Sequence, residues 1–168
     1  MSGALIVTAE FGPQDFAWLN ALRAQHFPPE RNQVRAHLTM FHAVPPSAEH
    51  ELRTRLRTAA SGPVPAARIA GLMDLGGGVA FRVVSDDLDA IRGEIADGLH
   101  GLLGAQDAQG WRPHVTIQNK VAPKLARELR LSLEKEFEPR PLKISGLALH
   151  RYLGGPWESL GVYAFRKP

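Results

Sequence analysis

The stretch that most limits what this chain can become is a five-residue pattern written twice: Arg35-Ala36-His37-Leu38-Thr39 and Arg112-Pro113-His114-Val115-Thr116. Both copies lie in apolar runs rich in β-forming residues. In an extended chain alternate side chains share a face, so Arg, His and Thr at i, i+2 and i+4 project together. Two such strands set opposite one another would put two imidazoles and two hydroxyls in one cleft.

The surroundings repeat as well. Residues 4–10 read as a first strand, 14–27 as a helix stopped by Pro28-Pro29, and 35–44 as the first motif strand. Ser47 is placed to cap a second helix that ends near Gly62, and residues 64–75 and 79–85 read as strands joined by Gly76-Gly77-Gly78. No Gly-Lys-Ser/Thr comes after the triplet, so a hairpin turn explains it better than a phosphate loop. Asp86 or Asp87 can cap a third helix reaching about Leu103, with Leu88, Ile91, Ile95, Leu99 and Leu102 as its apolar stripe. Residues 104–110 read as polar loop and 111–121 as the second motif strand. A fourth helix over 123–137 carries Leu125, Leu129 and Leu133, and a second hairpin turns at Gly154-Gly155-Pro156. The glycine turn comes 39 positions after the histidine in one half and 40 in the other. Matching order and spacing predict two lobes related by a rough two-fold axis, with the histidines facing each other.

At 168 residues the chain suits one well-cored bilobal unit spanning 1–168. The hydrophobic share of 44% excludes a largely disordered chain, and the net charge of +3 suits anionic ligands. The absence of cysteine excludes disulfides, thiolate metal sites and a cysteine nucleophile. The opening run Met1 to Glu10 lacks the basic region of a signal peptide, and no stretch approaches the ~20 apolar residues of a spanning helix. A soluble, cytoplasmic protein is the expectation.

Breaking a phosphodiester by in-line displacement needs one group to take a proton from the nucleophile and another to protonate the departing oxygen. Histidine serves both roles, because its ordinary pKa of ~6.5 keeps both forms available near neutrality. One imidazole per lobe supplies the geometry. Thr39 and Thr116 can donate hydrogen bonds to non-bridging phosphoryl oxygens, as donors in oxyanion sites do. Arg35 and Arg112 share that face and add charge near a phosphate, unless they serve as surface ion-pair partners.

The tetrads His37-Leu38-Thr39-Met40 and His114-Val115-Thr116-Ile117, set 77 positions apart, together with the Arg-Pro-His-Val-Thr form of the second, resemble the 2H phosphoesterase superfamily. Among its branches the chain looks most like bacterial proteins of the 2′-5′ RNA ligase and cyclic phosphodiesterase type. The resemblance implies an α+β fold, bilobal, with two pseudo-symmetric lobes, each an antiparallel sheet with outer helices around a central cleft. It implies a metal-independent enzyme without cofactor, acting on 2′,3′-cyclic phosphates of RNA ends or nucleotides, with no membrane and no obligate protein partner. By the same analogy His114 activates water and His37 protonates the leaving ribose oxygen, an order that pseudo-symmetry allows to be reversed. Ligation of 2′-5′ ends would run the reaction backwards. Short loops between the motifs argue against a tRNA-sized substrate.

Arg151, Tyr152 and Trp157 sit where family members often line the cleft, as base or phosphate contacts or as ordinary rim packing. Phe41 continues the first motif face, either as an apolar cleft wall or buried under a helix. His42 reads as a satisfied structural histidine, and His26, His50 and His100 as solvated or capping. Three rivals remain: a metal-dependent hydrolase, disfavoured because no dense ligand spacing such as His-Glu-x-x-His occurs; a non-catalytic RNA- or nucleotide-binding module with the same cleft; and an accidental match.

Overall fold

The computed structural model describes residues 3–166, so Met1 and Ser2 of the opening run lie outside the described residues. Eight strands and five helices occur in the order β1 (Leu5–Phe11), α1 (Pro13–His26), β2 (Leu38–Val44), α2 (Glu49–Ala60), β3 (Arg68–Asp74), β4 (Val79–Val84), α3 (Asp86–Gly98), α4 (Ala105–Ala108), β5 (His114–Gln118), α5 (Pro123–Glu134), β6 (Arg140–Pro141), β7 (Ile144–Tyr152) and β8 (Trp157–Ala164). The strands form two four-stranded antiparallel sheets, ordered β2-β1-β7-β8 and β5-β4-β3-β6. This is the bilobal α+β architecture that the repeat predicts.

The repeat closes by exchange. β1-α1-β2-α2-β3 and β4-α3-β5-α5-β7 are equivalent, and each third strand crosses to pair in the other half's sheet: β3 with β4, and β7 with β1. The strands that come after the two glycine turns are therefore not spatial equivalents. β4 lies between β5 and β3, whereas β8 lies at an edge. The turns themselves are alike: Gly76 and Gly154 take φ of +79° and +91°, left-handed values that side chains disfavour.

Helices cross over too. α1 lies against β5 and α5 against β3 and β4, while α2 covers β7 and β8 with α3 packed on α2. Apolar side chains at helical spacing make these contacts: Leu52, Leu56 and Ala60 from α2, and Leu88, Ile95 and Leu99 from α3 and its end, all buried.

Local details correct several expectations. The third helix is capped by Ser85, whose hydroxyl accepts from the Leu88 N–H at 3.0 Å, and not by an aspartate. Ser47 caps nothing, because a 3₁₀ turn over Pro46–Ala48 leads straight into α2. Leu102 and Leu125 are exposed, the first because α3 stops at Gly98, the second because Ala126, Leu129 and Leu133 form the contact row of α5.

The expected polar loop contains α4 and a buried carboxylate. Asp107 accepts from the backbone N–H groups of His42 and Ala43, both at 2.8 Å, and from His42 Nδ1 at 3.1 Å. These bonds to the ionised form outweigh burial and hold the Asp107 carboxyl below the usual range. His42 is thus a satisfied structural histidine. The carboxylate pins the segment before the second motif onto the strand of the first. Asp107→Ala should cost about 2–4 kcal/mol in urea unfolding, since it strands two backbone donors at the strand edge.

Candidate active site

Each motif builds its histidine in the same way. The His37 Nδ1–H donates to the carbonyl of Arg35 at 2.7 Å, and the His114 Nδ1–H donates to the carbonyl of Arg112 at 2.7 Å. A carbonyl only accepts, so the hydrogen stays on Nδ1 and proton exchange is left to Nε2. The threonines two positions on, Thr39 and Thr116, are half-buried on the same face.

Immediately after each threonine the register slips by one residue. Thr8 pairs with Thr39 but Val7 with Phe41; Ala80 pairs with Thr116 but Val79 with Gln118. The bulges fall on Met40 and Ile117, the fourth residue of each tetrad. A bulge re-aims the side chains beyond it, and Phe41 turns into the core. Its accessibility is 0% and its ring lies 4.5 Å from the Arg92 guanidinium, so it forms no cleft wall.

Side chains from crossing helices and loops hold the two motif strands. The Trp111 indole N–H donates to the Thr39 carbonyl at 3.0 Å, and buried Arg23 of α1 donates from Nη1 to the Thr116 carbonyl at 3.1 Å. Arg92 of α3, the counterpart of α1, donates to the Met40 carbonyl at 2.9 Å. Each buried guanidinium thus braces a motif strand of the other repeat.

A third imidazole joins the first two. His150 on β7 shares a 2.9 Å hydrogen bond with Thr8, and Trp157 on β8 stands 5.2 Å from its ring and 4.8 Å from that of His37. Burial pushes the His37 imidazole down to about 4; its bond to the Arg35 carbonyl opposes this, and the charges of Arg23, His150 and His114 add to it. Burial lowers His150 as well. His114, His150 and the Arg23 guanidinium therefore all lie within electrostatic reach of the His37 ring. Of three surface hollows of ≈350, ≈330 and ≈400 Å³, none is lined by a motif histidine.

The family model of the 2′-5′ RNA ligase superfamily matches residues 11–156. The chain belongs to the 2′-5′ RNA ligase superfamily. Solved structures share the fold of this chain: TT0787 of Thermus thermophilus is 16% identical with a TM-score of 0.66, covering 98% of each chain. E. coli LigT complexed with 3′-AMP is 15% identical with a TM-score of 0.63, covering 99% of this chain and 100% of its own. A structure described as a phosphoesterase is 15% identical with a TM-score of 0.61, covering 99% of this chain and 100% of its own. No curated protein matches in sequence.

In this superfamily member, then, His37 and His114 come within electrostatic reach of each other, Thr39 and Thr116 are half-buried on the strands that follow them, and the other expected residues divide. Arg35 and Arg112 are exposed, and it is their carbonyls that the histidines use. Arg151 points to the helix side of β7, where it pairs with Glu49 at 3.0 Å and Glu158 at 3.6 Å, and so offers no free charge to the cleft. Tyr152, paired across the strands with Trp157, is half-buried. Strand alternation could have shown that Arg151 and Tyr152 cannot share a face, and that His150 goes with Tyr152. Arg23 was legible as the residue four after Leu19 on the buried row of α1. Among the described residues, no group of three or more His, Cys, Asp or Glu is placed to hold a metal ion, and no helix is long and apolar enough to cross a membrane.

Because its pKa in the folded protein lies below the unfolded value, His37 opposes folding at acid pH. The unfolded chain binds the extra proton between the ordinary 6.5 and about 4, so stability should rise with pH across that window. The thermal midpoint should therefore drop on acidification from pH 6.5 to 4, and His37→Gln should flatten part of that slope.

Proposed function

We propose that this protein is a metal-independent phosphoesterase that hydrolyses 2′,3′-cyclic phosphates of RNA ends or nucleotides, with His37 and His114 sharing the proton transfers. The observation that carries this reading is the pair of matched Nδ1–carbonyl bonds, which leave proton exchange to the Nε2 of each ring. A phosphorus between them has a proton acceptor on one flank and a donor on the other. The complexes of E. coli LigT with 3′-AMP, NADP+ and ATP support a nucleotide-sized ligand for this architecture.

The environment of His37 favours one order of events. A histidine held down to about 4 is neutral in the resting site, and the neutral ring is the form that accepts a proton. On this reading His37 Nε2 takes the proton of water as its oxygen bonds to phosphorus. The bond to one ribose oxygen breaks, and His114 Nε2–H protonates that oxygen. This reverses the order that the family resemblance implies. Thr39 and Thr116 donate to the non-bridging oxygens as charge builds there. With the 5′-hydroxyl of a second RNA end in place of water, the same groups would form a 2′-5′ linkage: the 5′-oxygen bonds to phosphorus, the bond to the 3′-oxygen breaks, and that oxygen takes the proton.

His37→Ala and His114→Ala should each lower turnover of a nucleoside 2′,3′-cyclic phosphate by about 10²–10⁴-fold, while a chelator leaves the wild-type rate intact. Chelator-sensitive turnover would revive the metal-dependent hydrolase. No turnover by any variant or wild type would leave the binding-module reading. Thr39→Val should slow turnover by roughly 10²-fold with a normal unfolding midpoint. In kcat/KM against pH, His37 as proton acceptor sets the acid limb toward pH 4. A profile that instead falls as pH rises above 4 would assign His37 the donor role.

A further inference from the structure

The open face of the second sheet carries a cation that the two-histidine chemistry does not use. Arg82 on β4 pairs directly across from His114 on β5, as Ala80 does with Thr116 and Phe81 with Val115. Cross-strand partners share a face. Phe81 is buried beneath Trp18 of α1, so Arg82, its neighbour in the strand, points to the opposite, cleft side. It is exposed, and it takes part in none of the ion pairs among the described residues.

Its guanidinium has a prepared resting place. On β3 the residue opposite Arg82 is Gly71, and a Cβ there would stand 3.2 Å from Arg82 Nη2. The missing side chain lets the guanidinium lie across β3. Neighbouring strands are about 4.8 Å apart, which puts the charge roughly 10 Å from β5 and its histidine. Arg68, also exposed, continues the same face through its pairing with Val84. The matching region of the first sheet is aromatic instead, with His150 and Trp157.

We propose that Arg82, laid over Gly71, is a subsite for a second phosphate of the substrate, the one attached on the 5′ side of the nucleotide whose cyclic phosphate reacts. The proposal rests on the two-histidine reading. An unpaired guanidinium one nucleotide's reach from the reacting phosphorus is suited to that group, since its fork of donors matches a phosphate. The second phosphate has two sources, the phosphodiester of an RNA chain or a 5′-phosphate on a single nucleotide.

Three substrates separate the cases: a nucleoside 2′,3′-cyclic phosphate, its 5′-phosphorylated form, and a dinucleotide ending in the cyclic phosphate. Wild type should show higher kcat/KM on at least one of the two that carry a second phosphate. Arg82→Gln should cut that preference ratio by about tenfold, and Arg82→Lys should restore part of it. Dependence on Arg82 confined to the dinucleotide assigns the subsite to an RNA chain; the same dependence with the 5′-phosphate assigns it to a phosphate of either kind. Absence of a wild-type preference, or an unchanged ratio in Arg82→Gln, overturns the subsite. Should wild type turn over none of the three, the two-histidine reading fails separately. The subsite is then judged by the Kd ratio of the corresponding 2′-phosphate products, measured by calorimetry on the same variants.

Discussion

Everything in the cleft depends on a short bond made twice, the Nδ1–H of each motif histidine donating to the carbonyl two residues earlier at 2.7 Å. It closes within the strand entry itself and needs no partner from afar. Its effect is to settle which nitrogen exchanges protons and to hold each ring against its strand. A mobile imidazole would lose reaction rate through misplacement, because proton transfer requires heavy atoms within hydrogen-bond reach.

The fold then has to bring two such strands together, and it does so through exchange between halves. Were β3 and β7 to stay with their own repeats, each half would be an isolated unit and the motifs would have no common cleft. Because β7 crosses to β1, His150 and Trp157 arrive beside His37. Because α1 packs on β5, Arg23 reaches the Thr116 carbonyl and also adds its charge to the field at His37. The same crossings that make one core out of two halves shift the proton affinity of the site. Three buried polar side chains here are matched by partners, Arg23 by Asn32 and Thr116, Asp107 by two backbone donors, and Arg92 by two carbonyls, whereas the buried Gln118 Oε1 has no partner among the described residues.

The two halves are equivalent in backbone and unlike in chemistry. At the position after the bulge one strand buries Phe41 and the other buries Gln118. Across from the histidine strands, one sheet presents aromatic rings and the other Arg82, which joins no ion pair among the described residues. A duplicated frame with unlike walls suits an unsymmetrical ligand, such as a nucleotide with its base at one end and its phosphates at the other.

Much of this was legible in the residues themselves. The duplicated motif, the glycine turns and the alternation of apolar side chains are local patterns, and the strands, hairpins and paired histidines arise from them because backbone geometry alone decides which neighbours share a face. Local geometry also could have excluded Arg151 from the cleft. What it could not decide were the slips in register that bury Phe41, the carboxylate of Asp107 folded into an apparent loop, and the arrival of Arg23, Arg82 and His150 around the histidines. Those depend on which strand pairs with which and on where each helix lands. Such contacts join residues tens to more than a hundred positions apart, so only the assembled chain supplies them.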